Sequence, residues 1–158
     1  MTTLRSKRSA PRQAAWVRVV REPLTAEERL RLPKQIKCPQ DSADVLQERV
    51  NVELVEVFWA IYLNAQSRVI GIEEITRGIL NASLVHPREV FRGAIAAGAS
   101  GIVVAHNHPS GDPTPSPDDQ VVTRQLVAGG RLLDIPVYDH LILTATGKHY
   151  SFASDGKL

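Results

Sequence analysis

The sequence has 158 residues, of which 43% are hydrophobic and 23% are charged, and its formal net charge is +2. This size and composition are typical of one soluble globular domain with a short extension, and a single cysteine excludes an intramolecular disulfide. No apolar run approaches the roughly 20 residues that span a bilayer, and no apolar segment follows the basic N-terminus as in a secretory signal. We therefore expect a cytoplasmic protein without a membrane partner.

Residues 1–40 are predicted to form a basic N-terminal extension that is partly disordered. Over residues 1–37, Lys and Arg strongly outnumber the acidic side chains, whereas the remainder of the chain is net acidic. A basic arm of this kind can contact nucleic acid or another anionic partner. The alternative is a solvated tail, because Trp16 is the only aromatic residue in the arm on which a base could stack.

Hydrophobic periodicity and turn residues predict the secondary structure in chain order. The predicted elements are a short strand over 16–20, a capped helical turn from Thr25 to Pro33, a helix over 42–50, strands over 53–63 and 68–78, a short strand over 84–85, a helix over 87–97, a buried strand over 101–105, a helix over 118–133, and strands over 135–138, 140–143 and 149–152. Strands that alternate with helices predict an α/β fold, a mixed β-sheet sandwiched by helices. Residues 41–158 would form this single domain.

Two histidines follow the buried strand directly. His106 and His108 are one residue apart, and because side-chain direction in a strand has a period of two, both rings point to the same side and can bind one metal ion. A catalytic zinc normally has three protein ligands and an open position for water. The third ligand must come from elsewhere, and Asp118 and Asp119 begin the next helix.

The spacing of these residues matches a known motif. His-x-His, seven residues, then Ser-x-x-Asp is the JAMM motif, which this sequence matches at His106, His108, Ser116 and Asp119. The match assigns Asp119, and not Asp118, as the third ligand. A loop whose histidines only cap backbone groups is the alternative interpretation.

The residues around the motif resemble the RadC family of bacterial JAMM proteins. The similarity is carried by HNHPSGDPTPS over 106–116, VHPREV over 85–90, Asp-His at 139–140 and Tyr-Ser-Phe at 150–152, and it extends over about 42–156. The resemblance implies a JAB/MPN-like fold, similar to that of cytidine deaminases. Longer members carry a helix-hairpin-helix-like region in front, and we expect this chain to be a short form without it.

The resemblance also implies a general base. JAMM enzymes use a Glu on an early strand, which RadC-like sequences place in a Glu-x-Phe step, here Glu56 to Phe58. A charged residue inside an apolar strand is costly unless it is paired, which favours a specific role for Glu56. Glu53, three residues away, should point to the opposite face. The alternative is that Glu56 faces solvent on an edge strand.

The function implied by the resemblance is a zinc-dependent metallopeptidase or isopeptidase acting on a peptide or protein substrate. Glu56 would move a proton from water to the leaving amine, and Ser116 would donate a hydrogen bond to the oxyanion. Two further side chains are predicted near the ligands. His140 is either a partner of a zinc ligand or an ordinary buried polar residue, and Asn107 is a structural hydrogen bonder.

Two other classes of function remain open from the sequence. RadC relatives carry a DNA-repair label and occur on mobile elements, and the basic arm is compatible with nucleic-acid binding, although no recognised DNA-binding motif is present. A zinc-stabilised interaction domain without turnover is the second alternative. A homodimer could form by pairing of the 53–78 hairpin across subunits.

Overall fold

The computed structural model describes residues 35–78 and 85–158. Most of the basic arm lies outside these residues, and so do the predicted strand over 16–20 and the predicted helical turn at Thr25. The described elements are α1 (Pro39–Val50), β1 (Val57–Leu63), β2 (Val69–Arg77), α2 (Pro87–Ala97), β3 (Gly101–Asn107), α3 (Pro117–Leu133), β4 (Val137–Leu143) and β5 (His149–Ser151).

The described strands form one mixed sheet in the order β2-β1-β3-β4-β5. β1 pairs antiparallel with both β2 and β3, β3 pairs parallel with β4, and β4 pairs antiparallel with β5. A parallel pair needs a crossover connection, and α3 supplies it between β3 and β4. β2 lies at an edge of this sheet, so pairing of the hairpin across a homodimer stays a prediction.

Helices cover both faces of the sheet because its central strands are apolar on both sides. In β1, Trp59 belongs to the core beneath α1, whereas its neighbour Phe58 belongs to the core beneath α2 and α3. Leu46 of α1 and Phe91 of α2 anchor the two layers, and each is at most 2% exposed. Burying a side chain of this size contributes about 1.5–3 kcal/mol. The predicted α/β fold, a mixed sheet sandwiched by helices, is confirmed.

The first strand is shorter than predicted. It begins at Val57 rather than at residue 53, so the prediction that Glu56 lies inside the strand is wrong. Apolar composition alone suggested the longer strand, but Leu54 is 90% exposed and Val55 is 42% exposed, so neither packs on the sheet. Glu56 therefore lies immediately before β1, in the segment that leads into the strand.

The prediction of two strands over 135–138 and 140–143 is also wrong, because β4 runs without a break from Val137 to Leu143. The suggested interruption was Asp139, which is buried within the strand. Its carboxylate accepts hydrogen bonds from Ser151 Oγ at 2.6 Å, from Ala153 N at 3.0 Å and from His140 N at 2.8 Å. A buried carboxylate that is fully hydrogen-bonded does not interrupt a strand.

The helix ends follow local rules. α2 begins at Pro87, where a missing N–H costs nothing, and it ends before Gly98, whose φ of 59° is left-handed. α1 begins at Pro39 rather than at the predicted 42, because the Asp41 carboxylate accepts hydrogen bonds from the backbone just before the helix. The predicted strand over 84–85 is not formed at Val85, which lies in a bend, and Leu84 is outside the described residues. Among the helices in the described ranges, none has the length and apolar character needed to cross a bilayer.

Candidate metal centre

Three predicted ligands converge at the end of β3. His106 lies within the strand and His108 follows it, and their Nε2 atoms are 3.1 Å apart. Asp119, in the first turn of α3, places Oδ1 at 3.2 Å from His106 Nε2 and Oδ2 at 3.7 Å from His108 Nε2. One ligand atom from each of these residues lies within 4.8 Å of the other two, so the group could hold a metal ion. Asp118 is exposed and is not part of the group.

These separations suit a tetrahedral metal. Zinc binds imidazole nitrogen and carboxylate oxygen at about 2.0–2.2 Å, so two tetrahedral ligand atoms stand about 3.4 Å apart. The chemistry of the atoms agrees with their spacing. His108 Nδ1 lies 2.8 Å from the carbonyl oxygen of Asp112, which can only accept, so the proton of the neutral ring is on Nδ1. The lone pair of His108 Nε2 then faces the centre of the group, where a cation fits.

Asp119 is held by the residue that caps its helix. Ser116 is the N-cap of α3, and its Oγ accepts a hydrogen bond from Asp119 N at 3.2 Å. In return, the backbone N and the hydroxyl of Ser116 both donate to Asp119 Oδ2, each at 2.7 Å. This capping box leaves Oδ1 turned towards His106. The single hydroxyl proton of Ser116 is thus directed at Asp119.

The electrostatics of the group favour a bound cation. Burial raises the pKa of Asp119, but contacts with His106 and His108 outweigh it and hold that pKa well below its ordinary value. The Asp119 carboxylate in turn raises the pKa of His108 against the opposing effect of burial, and the charge of Glu56 adds to the increase. Asp119 is therefore ionised, and positive charge is stabilised at His108.

Glu56 approaches the group from the segment that leads into β1, the strand next to β3. Phe58 pairs with His106 in the antiparallel register of β1 and β3, and Glu56, two residues before Phe58, is close enough for its charge to raise the pKa of His108. Asn107, which lies between the two histidines in the sequence, points to the other side of the sheet. Its side chain accepts a hydrogen bond from Val57 N and donates one to the carbonyl of Val55. These contacts make Asn107 a structural hydrogen bonder that touches the Glu56 segment rather than the ligands.

Glu53 takes no part in the group. It lies outside β1, and its carboxylate forms a two-point ion pair with Arg77, at 2.5 Å from Nη1 and 2.9 Å from Nη2. The prediction that Glu53 points to the opposite face of a strand shared with Glu56 is wrong, because neither glutamate is in the strand.

His140 contacts a predicted ligand directly. Its Nε2 lies 2.9 Å from His106 Nδ1, and its Nδ1 lies 2.7 Å from the hydroxyl of Thr123. The ring is fully buried and stacks on Phe152 at 4.9 Å between centroids, and this burial lowers the pKa of His140 well below its ordinary value. Sequence reasoning missed Thr123. The only signal was a hydroxyl next to Val122 in the apolar stripe of α3, one turn after Asp119.

The amino-acid sequence is similar to one family of domains and to several proteins of bacteria and archaea. The sequence profile of the RadC-like JAB domain matches residues 36–157. The chain is 47% identical over 120 residues to a UPF0758 protein of Symbiobacterium thermophilum, covering 76% of this chain and 51% of that protein. It is 48% identical over 108 residues to a UPF0758 protein of Geobacillus thermodenitrificans, covering 68% and 48%. For a UPF0758 protein of Methanosarcina mazei the identity is 38% over 123 residues, covering 78% and 53%. The chain thus spans about half the length of these relatives.

Proposed function

This chain belongs to the RadC-like JAB domain family, and from that membership and its ligand geometry we propose that it is a zinc-dependent hydrolase that cleaves amide bonds. The observation that carries the proposal is the convergence of His106 Nε2, His108 Nε2 and an Asp119 oxygen within 4.8 Å of one another. Two imidazoles and a carboxylate suit zinc, and three protein ligands leave the fourth position open for water, as in catalytic zinc sites. The side chains of His108 and Asp119 are 14% and 11% exposed, so the group is reachable from solvent.

Glu56 is the proposed general base. A bound zinc ion would lower the pKa of a water molecule towards ~7 and polarise the substrate carbonyl. Glu56 would accept a proton from the attacking water and pass it to the nitrogen of the leaving amine. Two observations support this role: Glu56 lies two residues before Phe58, which pairs with His106, and its charge is close enough to raise the pKa of His108.

Ser116 is the proposed donor to the oxyanion that develops on the attacked carbonyl. Its hydroxyl donates to Asp119 Oδ2, and the same oxygen also accepts a hydrogen bond from Ser116 N. When the hydroxyl turns to a substrate, Asp119 Oδ2 therefore keeps one of its two hydrogen bonds from Ser116. We propose peptide or isopeptide substrates, since amide hydrolysis is the reaction that these groups are suited to perform.

The two alternatives from the sequence differ in what supports them. A zinc-stabilised interaction domain would use the same three ligands without turnover, so only an activity measurement separates it from a hydrolase. Nucleic-acid binding rests on the basic arm, of which residues 1–34 lie outside the described part of the chain, and it stays a prediction. Salt-dependent DNA binding that is lost on deleting residues 1–37 would support it.

Zinc content is the first test of the proposal. We expect about one zinc per chain in the purified wild type, as for a mononuclear site, and loss of zinc in His108→Ala. His86→Ala is the matched control, because His86 is exposed, its side chain makes no capping hydrogen bond to α2, and the substitution removes an imidazole outside the site. A folded wild type that takes up no added zinc would contradict the proposal.

Turnover is the second test. Glu56→Gln should keep its zinc and lose about 10²–10⁴-fold in the rate of cleavage of peptide or isopeptide substrates, the range expected for a general base. Zinc-loaded wild type that cleaves no member of a broad peptide and isopeptide library would instead favour the interaction domain.

A further inference from the structure

A continuous line of hydrogen bonds runs beneath the metal centre, from the backbone of one predicted ligand to the ring of another. Thr123 Oγ1 lies 2.6 Å from the carbonyl oxygen of Asp119 and 2.7 Å from His140 Nδ1. His140 Nε2 in turn lies 2.9 Å from His106 Nδ1. The side chains of this line are shut off from solvent, since Thr123 and His106 are 1% exposed and His140 is 0% exposed. These groups are therefore hydrogen-bonded to one another rather than to bulk water.

The direction of each hydrogen bond follows from the groups at one end. The carbonyl oxygen of Asp119 can only accept, and Thr123 has one hydroxyl proton, so this proton goes to Asp119. The hydroxyl can then only accept from His140 Nδ1, which must carry a proton. His140 is buried and bonded to a hydroxyl and an imidazole rather than to a carboxylate, which keeps the ring neutral with a single proton. Its Nε2 is therefore an acceptor, and His106 Nδ1 is the donor.

The direction of the hydrogen bond between His140 and His106 has to be set by other groups, because two imidazoles alone do not determine which of them donates. Either ring can donate, and donation by His140 would place the proton of His106 on Nε2, the atom that faces Asp119. His108 does not have this ambiguity, since its Nδ1 donates directly to the carbonyl of Asp112. His106 has no such carbonyl in the line, and Asp119 Oδ1, at 3.2 Å from its Nε2, favours the opposite tautomer, so a proton on Nδ1 depends on Thr123.

We propose that Thr123, acting through His140, is a positioning residue that fixes His106 with its proton on Nδ1 and its Nε2 lone pair free to bind the metal. The role rests on the proposed metal site, but the tautomers themselves are a property of the metal-free chain. Asp119 thereby serves twice, because its carboxylate belongs to the ligand group and its backbone carbonyl sets the proton positions on the ring of His106.

The test uses the full chain with three variants. Thr123→Val removes the hydroxyl at nearly constant shape, and Thr123→Ser keeps it. Thr144→Val is the matched control, because Thr144 is a fully buried threonine whose hydroxyl contacts the hydroxyl of Thr146 and the carbonyl of Lys148 rather than the side chain of a predicted ligand. Long-range ¹H–¹⁵N spectra of the histidine rings, recorded without metal, report which nitrogen carries each proton. Titration with zinc, followed by calorimetry, reports affinity.

We expect the wild type and Thr123→Ser to have protons on Nδ1 of both His140 and His106. Thr123→Val should move the proton of His140 to Nε2 and weaken zinc binding by about 10- to 100-fold, the usual effect of losing a partner of a metal-binding histidine. Thr144→Val should keep the affinity of the wild type even if it is less stable.

Two results would overturn the inference. One is a wild type in which His140 or His106 carries its proton on Nε2, which decides the matter even if Thr123→Val does not fold. The other is a folded Thr123→Val with unchanged tautomers and unchanged zinc affinity. A wild type with the expected tautomers that binds no zinc would contradict the proposed function and leave the hydrogen-bond direction supported.

Discussion

Asn107 holds the chain on both sides of Glu56. Its Oδ1 accepts a hydrogen bond from Val57 N at 2.7 Å, and its Nδ2 donates to the carbonyl of Val55 at 2.9 Å. Glu56 lies between these two attachment points, ahead of the first paired residues of β1. Asn107, which lies in β3 between the two predicted histidine ligands, therefore also fixes the backbone on both sides of the proposed general base.

Loss of this support should affect turnover more than metal binding. In Asn107→Leu the buried N–H of Val57 loses its acceptor, and we expect the free energy of unfolding to fall by about 1–3 kcal/mol. Zinc content should be unchanged because no ligand contact is lost, while kcat should fall because Glu56 is no longer held in place. Denaturant unfolding, zinc analysis and steady-state kinetics measure the three quantities.

Asn64→Leu provides the matched control for this change. Asn64 also makes two hydrogen bonds to backbone, to Gln66 N and Arg68 N at 3.0 Å each, but it does so in the turn between β1 and β2. The Asn64→Leu substitution should lower the free energy of unfolding and leave kcat unchanged. If Asn107→Leu is destabilised yet turns over at the rate of the wild type, the support is structural only.

Two adjacent aspartates allow a sharp test of the ligand assignment. Asp119→Asn replaces an ionised ligand by a neutral amide and should abolish zinc binding, whereas Asp118→Asn makes the same change at an exposed side chain and should leave it intact. Calorimetric titration of both variants with zinc measures the difference. Equal loss in the two variants would argue against Asp119 as the specific ligand.

The two roles of Ser116 can be separated by choosing the replacement. Ser116→Ala removes the N-cap of α3 and should cost about 1 kcal/mol of stability, while Ser116→Gly, at a cost of only a few tenths of a kcal/mol, keeps a tolerated capping residue that has no side-chain donor. Stability, from denaturant unfolding, should therefore recover in the Gly variant, and the rate of amide cleavage should stay low in both. Recovery of the rate together with stability would show that capping is the whole contribution of Ser116.

The pH dependence of zinc binding should report the distance between Glu56 and His108. The pKa of metal-free His108 is raised above 6.5, chiefly by its contact with Asp119 and in part by the charge of Glu56. Because a proton competes with zinc for this ring, affinity should rise with pH through the range above 6.5 and then level off. Glu56→Gln removes a negative charge that stabilises the protonated ring, so the pKa of His108 should fall and the binding curve should move to lower pH.

Glu53→Gln is the control for that shift. It removes a carboxylate three residues away that is bound to Arg77, and it should leave the pKa of His108 as in the wild type. Proton NMR titration of the metal-free protein and calorimetry at several pH values measure the effect. An unchanged binding curve in Glu56→Gln would place its carboxylate too far from His108 to act on a water there.

The features that could be predicted from sequence are those set by residues close together in the chain. The alternation of β3 brings His106 and His108 to one side, and the capping signal at Ser116 begins α3 with Asp119 in its first turn. These are local rules of strand and helix geometry, which do not depend on the rest of the fold.

The features that could not be predicted depend on packing between distant segments. The apolar composition of Leu54 and Val55 predicted that β1 starts too early. In sequence, an apolar residue that stays exposed looks the same as one that packs on a sheet. The contact of Thr123 with His140 forms only because α3 crosses over the parallel pair of β3 and β4. Residues 1–34 and 79–84 lie outside the described chain, so the predictions made for them remain predictions.

Two separate parts of the chain contribute residues to the candidate metal centre, and one of them contributes nearly all. The crossover from β3 through α3 to β4 carries all three candidate ligands, the capping serine and the Thr123–His140 line, within residues 106–140. Glu56 alone comes from a segment outside this crossover. In the proposed hydrolase, metal retention and proton transfer could therefore diverge independently: a single substitution of Glu56 would leave a protein that holds the metal without turnover, and the reverse substitution would restore turnover without any change to the three predicted ligands.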